Sequence, residues 1–183
     1  GTSNGIDIIA ARHLFDLKEF EYARIILTEN VSSQPYGEAY YWLSRIAEVD
    51  QDWDDVELNM QKATMYSSLN SGYHLRFSQV LNRLQKYERA EQEAGLAIKF
   101  SDQPNSSIYT YRAGLRQRLD DYEGALEAWQ QASSLDPNKG SYYYQAGDVS
   151  EKMDRIDEAA EYYQKAIEWA PENKSYLQRL ERI

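Results

Sequence analysis

Two stretches of the chain, 71–84 and 106–119, hold Arg76, Arg83, Arg112, Arg116 and Arg118 without a single Asp or Glu, although the whole sequence carries a formal net charge of −10. A guanidinium presents a planar fork of donors suited to a carboxylate or a phosphate, so both stretches are candidates for anion recognition. The other reactive residue types point away from catalysis. His13 and His74 stand far apart, each outside any HxxxH or HExxH spacing, and read as structural or surface groups before metal ligands. There is no cysteine, hence no thiolate nucleophile, disulfide or cysteine zinc site. Asp50, Asp52, Asp54 and Asp55 cluster, but Asp54 and Asp55 open a helix, where negative charge is favourable, so helix capping outweighs acid catalysis or calcium binding. A phosphate-binding GxxxxGKS or GxxxxGKT loop, a GxGxxG turn and a GxSxG elbow are all absent. The expectation is a protein that is not an enzyme and needs no cofactor or metal.

Composition sets the class of chain that must position these arginines. Hydrophobic residues make up 42% of the 183, with 16 Tyr and 4 Trp, which excludes a disordered chain. Only 4 Pro and 9 Gly exclude collagen-like or turn-dominated architectures. An estimated pI of 4.7 opposes the phosphate attraction that nucleic-acid binding requires, so no nucleic-acid partner is expected. No apolar run approaches the 18 or more residues of a membrane span, so direct membrane insertion is not expected either, and a cytoplasmic location is favoured. The start, Gly1-Thr2-Ser3-Asn4-Gly5, lacks methionine and reads as a cloning scar or an excised fragment, which leaves room for a preceding targeting or membrane segment.

The strongest organisational signal is a period. Laid over itself at an offset of 34, the region 106–173 places Tyr109 on Tyr143, Ala113 on Gly147, Tyr122 on Ile156, Ala125 on Ala159, Trp129 on Tyr163, Ala132 on Ala166 and Pro137 on Pro171. Upstream, Ala90, Val56 and Ala23 continue the Ala125 and Ala159 series at intervals of 35, 34 and 33. Five units follow, about 4–36, 37–70, 71–105, 106–139 and 140–173, in one domain spanning 1–183. In the first unit Ala10, Ala11 and Leu14 face Phe20, Ala23 and Leu27 across a turn at Leu17, Lys18 and Glu19, and Asn30 replaces the second alanine. After Pro171, residues 174–183 carry Tyr176, Leu177 and Leu180 at helical spacing and suit a helix that covers the last unit. The glycosylation-like triplets at Asn30, Asn105 and Asn173 read as ordinary loop residues. No segment shows the two-residue alternation of strands.

The series Tyr143, Gly147, Ile156, Ala159, Tyr163, Ala166 and Pro171 resembles the tetratricopeptide repeat, and the run DEAAEYYQKAIEWAPEN at 157–173 is its most specific stretch. The resemblance implies an all-α fold, an α-solenoid (right-handed superhelix) of five helical hairpins plus a C-terminal capping helix. It also implies that the first helix of each unit lines a concave groove. On this sequence the family's groove positions fall at Arg12, at Tyr41 and Arg45, at Arg76, Gln79, Asn82 and Arg83, at Tyr111, Gln117 and Arg118, and at Tyr144 and Gln145. The second helices carry the acids: Asp54, Asp55 and Glu57; Glu88, Glu91 and Glu93; Asp121, Glu123 and Glu127; Asp157, Glu158 and Glu161. The middle of the groove is therefore expected to be positive inside an acidic shell, suited to an acidic protein segment or peptide.

The carboxylate-clamp members of the family use Lys and Asn where Ile8, Arg12 and Trp42 stand here, so a chaperone partner is not carried over. Arg112 and Arg116 occupy positions the family gives to its core, four apart on one helix face. Either that helix is rotated so that Leu115 and Leu119 face inward, the preferred reading, or the arginines stack on Trp129 and pair with Glu123 or Glu127. The competing functional reading is a structural scaffold, self-associating or forming one section of a longer protein.

Overall fold

A computed structural model describes residues 3–183, with side chains from Asp7 onward. The start at 1–5 lies at this limit: Gly1 and Thr2 are outside the described residues, and the side chains of Ser3, Asn4 and Gly5 are too. Among the described residues there are eleven helices and no strand: α1 (Ser3–Asp16), α2 (Phe20–Ser33), α3 (Gly37–Val49), α4 (Trp53–Tyr66), α5 (Ser71–Arg83), α6 (Tyr87–Lys99), α7 (Ser106–Arg118), α8 (Tyr122–Leu135), α9 (Gly140–Lys152), α10 (Ile156–Trp169) and α11 (Lys174–Arg182). Contacts gather into two compact units, one running to Ser101 and the other Asp102–Ile183. In the first, α1 pairs with α2, α3 with α4 and α5 with α6, and successive hairpins meet through α2 with α3 and α4 with α5. In the second, α7 pairs with α8 and α9 with α10, α8 packs on α9, and α11 lies on α10.

Each hairpin turns by one device. The residue after the first helix's cap adopts the left-handed conformation, at Lys18 (φ 65°), Gln51 (61°), Gln85 (59°), Asp120 (56°) and Asp154 (60°), none of them glycine. The next amide then reaches back five residues to a free carbonyl: Glu19 to Leu14 (2.9 Å), Asp52 to Ala47 (3.0 Å), Lys86 to Leu81 (2.9 Å), Asp121 to Arg116 (2.9 Å) and Arg155 to Ser150 (3.0 Å). This is the long bond of a Schellman stop, which satisfies a carbonyl the helix leaves unpaired. The same five residues are the N-caps of the second helices, and Asp52 and Asp121 accept from Asp55 and Gly124 backbone N–H groups.

Five residues beyond each left-handed position comes the crossing residue. Ala23, Val56, Ala90, Ala125 and Ala159 are each buried to 1% exposure or less. Small side chains there let the paired helices close on each other. Around them, in the first unit, Ile8, Ala11, Leu27, Ala39 and Ile46 form a core with Phe15, Phe20, Tyr36 and Trp42 partly buried against it. Ala10 of the expected first-unit face is only half-buried. In the second unit, Ala113, Leu126, Ala128, Trp129, Ala146 and Val149 form the core with Tyr122, Tyr142 and Tyr162. Tyr163 is fully buried over Gly147, where an added Cβ would stand 2.6 Å from the ring.

Several polar residues at interior positions have particular partners, whereas the buried Trp129 Nε1 and Ser150 Oγ have no hydrogen-bond partner among the described residues. His74 is buried with one ring nitrogen 2.6 Å from the Glu93 carboxylate and the other 2.8 Å from the Ser68 carbonyl, so it ties α5 to α6 and to the preceding loop. His13 lies exposed. Asn30 is helical and buried, its amide 3.5 Å from the Asp7 carboxylate, which corrects its reading as a loop residue. Asn105 and Asn173 are N-caps of α7 and α11. In α7, Leu115 is fully buried and Leu119 half-buried, and Arg116 pairs as well: its guanidinium donates to the Gly124 carbonyl (2.8 Å) and lies 3.5 Å from Glu127. Gly124 makes room, since a Cβ there would come within 2.5 Å of that guanidinium.

The turn device is testable at Gln85, which is exposed and strained. Replacing Gln85 by Gly removes the Cβ clash of the left-handed conformation and should stabilise the chain modestly, by about 0.5–1 kcal/mol, whereas Gln85→Val should destabilise it by about 1–2 kcal/mol. Thermal unfolding followed by circular dichroism reads both, and equal midpoints for the two variants would overturn the account.

Candidate functional site

The first-helix surface of the first unit gathers most of the predicted binding residues. On α3, Tyr41, Arg45 and Glu48 recur at helical spacing on one face; on α5, Tyr73, Arg76 and Arg83 do the same. Tyr41 and Tyr73 stack with ring centres 5.2 Å apart, which joins the two faces. Burial first, and then Glu38 and the neighbouring rings of Tyr41 and Tyr36, push the Tyr73 hydroxyl up to about 12, so it is uncharged at neutral pH.

Two recesses open beside this stack. One, of about 430 Å³, is lined by Tyr41, Arg45, Glu48, Val49 and Arg76. The other, of about 210 Å³, is lined by Glu48, Trp53, Arg76, Gln79, Val80, Asn82 and Arg83. Sharing Glu48 and Arg76, they form one continuous strip that holds six of the predicted residues: Tyr41, Arg45, Arg76, Gln79, Asn82 and Arg83. Arg83 lies 4.1 Å above the Trp53 ring. Arg45 donates to the Tyr41 hydroxyl (3.3 Å), and its buried Nε has no hydrogen-bond acceptor among the described residues. Arg12 is exposed over Trp42, 6.0 Å from the ring centre, and lines neither recess.

Glu48, Trp53 and Tyr73 belong to this strip and were missed from sequence. Glu48 matters most, because Arg76 donates to its carboxylate (2.5 Å) and Arg45 Nε lies 3.4 Å from it. The expected positive surface therefore contains one acid, and two guanidiniums, those of Arg45 and Arg76, face it. The signal was present in the spacing of Glu48 from Tyr41, seven residues along the same helix.

In the second unit, Tyr111 and Gln117 are half-buried, and Arg118 is exposed with its guanidinium 3.1 Å from the Gly114 carbonyl. Tyr144 stacks on Tyr176 of α11 at 4.8 Å, so the last helix shares its face. Charge fixes α11 there. Arg179 bridges Asp148 and Glu151, each at 2.8 Å, and Arg182 reaches Glu151 at 3.1 Å. The Tyr163 hydroxyl donates to the same Glu151 carboxylate (2.9 Å). A separate recess of about 310 Å³ is lined by Tyr109, Arg112, Arg116, Glu127, Ala128, Gln130 and Gln131. No group of three or more potential metal ligands occurs among the described residues.

A family model described as "Tetratricopeptide repeat" matches residues 140–173. The chain as a whole is similar to tetratricopeptide-repeat proteins, and its last full hairpin matches the repeat itself. It is 34% identical, over 89 residues, to the small glutamine-rich tetratricopeptide repeat-containing protein 2 of Mycosarcoma maydis; the match covers 48% of this chain and a quarter, 25%, of that relative's length. Among solved structures it is similar to YrrB, described as a TPR protein with an unusual peptide-binding site (TM-score 0.77, 18% identity, 97% of this chain and 91% of that one). It is also similar to MamA (0.75, 16%, 96% of each chain) and to PilF of Pseudomonas aeruginosa (0.66, 17%, 98% and 83%). At these identities the likeness shows the fold, an all-α solenoid of tetratricopeptide hairpins closed by a C-terminal helix. Tetratricopeptide-repeat proteins are in general interaction modules rather than enzymes, with protein or peptide partners. Among the described residues no helix is long and apolar enough to cross a membrane.

The hold on α11 has a pH signature. Burial pushes the Glu151 carboxyl up, but the Tyr163 hydroxyl, Arg182 and Arg179 more than reverse this and hold it below the ordinary 4.5. A depressed folded value contributes stability above the unfolded pKa and loses it as pH falls through the folded one. Hydrogen exchange of the α11 amides, measured relative to the intrinsic rate at each pH, should therefore quicken below pH 4.5. At pH 7, Glu151→Gln should quicken it by about tenfold, the loss expected for a charge-assisted cluster. Unchanged exchange in the variant would show that α11 is held by Tyr144 and Tyr176 instead.

Proposed function

We propose that the protein is a non-enzymatic interaction module whose Arg- and Tyr-lined first-helix surface holds an acidic segment of a partner protein. The observation that carries this reading is the strip on α3 and α5, in which Arg45, Arg76 and Arg83 outnumber Glu48 and are set among Tyr41, Tyr73 and Trp53. Arginine forks suit carboxylates, while aromatic rings supply rigid contact area at little entropic cost. In a chain of net charge −10, such a strip selects against the chain's own acidic outer helices and for an acidic ligand. Arg12 would add to this surface in the first unit, and Tyr111, Gln117, Arg118 and Tyr144 would serve a first-helix surface of the second unit by itself. The peptide-binding site named for YrrB is consistent with a first-helix surface used in this way.

A second reading, self-association or a place within a longer helical stack, is favoured by Ile9, Tyr22 and Ile25 on the first hairpin, which are 70%, 63% and 52% exposed. Such side chains suit a further helical pair or a second copy. Light scattering across a hundredfold concentration range decides it. Mass growth lost in an Ile9→Glu, Ile25→Glu variant supports self-association, and a concentration-independent monomer counts against it.

The binding proposal is tested with arrayed 12-residue acidic peptides and fluorescence polarisation. Affinity should fall with rising salt, and Arg76→Glu or Arg83→Glu should each weaken binding by about tenfold or more. Wild-type affinity in both variants would remove this strip from the binding surface.

A further inference from the structure

Within the smaller recess, Arg76 and Arg83 face each other's neighbourhood in unlike states. Arg76 is bonded to Glu48 and lies 3.4 Å from the Gln79 side-chain oxygen. Arg83 lies over the Trp53 ring, and no carboxylate lies within ion-pair distance of it among the described residues. Guanidinium planes held on a ring keep their edge N–H groups available for a planar acceptor. Across the whole strip, Arg45, Arg76 and Arg83 are offset by Glu48 alone, an excess of two positive charges.

That excess decides which anion fits. A ligand carboxylate carries one charge and must compete with Glu48, a carboxylate already tethered beside Arg76. Exchanging one for the other gains little. A phosphoryl group carries about −1.5 to −2 at neutral pH and three acceptor oxygens, enough to engage Arg83 while sharing Arg76 with Glu48 or displacing it. The recess, about 210 Å³, holds a phosphoryl group with a short side-chain stem. Asn82 is a further donor on its rim, and Trp53 and Val80 form an apolar wall for the stem. The adjoining recess of about 430 Å³ takes the neighbouring residue against Tyr41.

We propose that the recess between Arg76, Asn82 and Arg83 is a phosphoserine or phosphothreonine subsite, the positive charge that Glu48 leaves uncompensated favouring a dianionic over a monoanionic side chain. The assignment rests on the strip being the binding surface argued above. It commits to a phosphorylated protein segment, because a phosphodiester chain carries one charge per phosphate and meets the acidic outer helices of this chain.

The test uses an arrayed library of 12-residue peptides with a fixed central phosphoserine, each matched by its serine and glutamate counterparts, binding the purified chain at 0.15 M salt. Phosphoserine peptides should bind about tenfold or more tightly than their glutamate matches. Arg83→Gln should reduce that ratio towards one. Glu48→Gln should raise the affinity of both kinds of peptide, that of the more highly charged phosphoserine peptides at least as much as that of the glutamate ones. Circular dichroism checks that both variants, altered at partly or fully exposed groups, remain folded. Glutamate and phosphoserine peptides binding equally, with salt dependence intact, would overturn the phosphate subsite and leave the acidic-segment reading standing. Binding of none of the peptides by the folded chain would overturn both. Displacement of the phosphopeptides by single-stranded oligonucleotide at equal phosphate concentration would overturn the commitment to a phosphorylated protein.

Discussion

The close crossing of paired helices at Ala23, Val56, Ala90, Ala125 and Ala159 is the constraint on which the rest of the structure depends. Each crossing lies five residues beyond a left-handed turn residue, whatever the length of the preceding connection. The turn fixes the angle at which the second helix leaves, and the small side chain lets it lie close enough to bury the aromatic residues beside it. Because the device is local, the loops between hairpins can vary by a residue without disturbing the hairpins. A hairpin alone buries only one side, so stacking on a neighbour supplies the remaining apolar contact.

Electrostatics is arranged on top of that packing. The starts of the second helices are laced together by ion pairs, Glu57 with Lys86 and Arg89 in one unit and Glu123 with Arg155 in the other. Burial pushes the Glu57 carboxyl up, and Lys86 and Arg89 reverse this and hold it low. These outer acids are thus committed to holding hairpins in register. The first-helix arginines are less fully committed: Arg45 and Arg76 share one carboxylate, and Arg83 rests on an aromatic ring. Cations held short of full neutralisation are what an anionic partner can use.

The period and the apolar spacing made the eleven helices and the crossing residues legible in the sequence, because packing at a close crossing tolerates few side chains. Proline after α8 and α10 marked their ends for the same kind of reason. The left-handed turns were not legible, since Lys18, Gln51, Gln85, Asp120 and Asp154 are of three different types and none is glycine. Asn30 was read from its triplet as a loop residue when the repeat register, which sets it level with Ala63, Ala97, Ala132 and Ala166, places it inside a helix. At the candidate site, the arginines were visible as a local inversion of charge. The spacing sets Glu48 on the face of Tyr41 and Arg45, but its pairing with Arg76 of the next hairpin emerges only when α3 and α5 are brought side by side.

Arg116 shows how far such a scaffold can bend its own rule. A guanidinium at a core position would carry a desolvation cost of several kcal/mol if left unpaired. Here Gly124 removes the one side chain that would collide with it, the Gly124 carbonyl accepts from it, and Asp121 and Glu127 lie at 3.7 and 3.5 Å. A Cβ at 124 would press on both the Asp121 carboxylate and this guanidinium, so these two side-chain ends would have to shift together. Asp121 is at once the cap of α8 and a neighbour of this guanidinium, so the charge is built into the turn on which the hairpin rests. A cationic side chain thus enters the repeat without loosening it, provided the next turn supplies its acceptors.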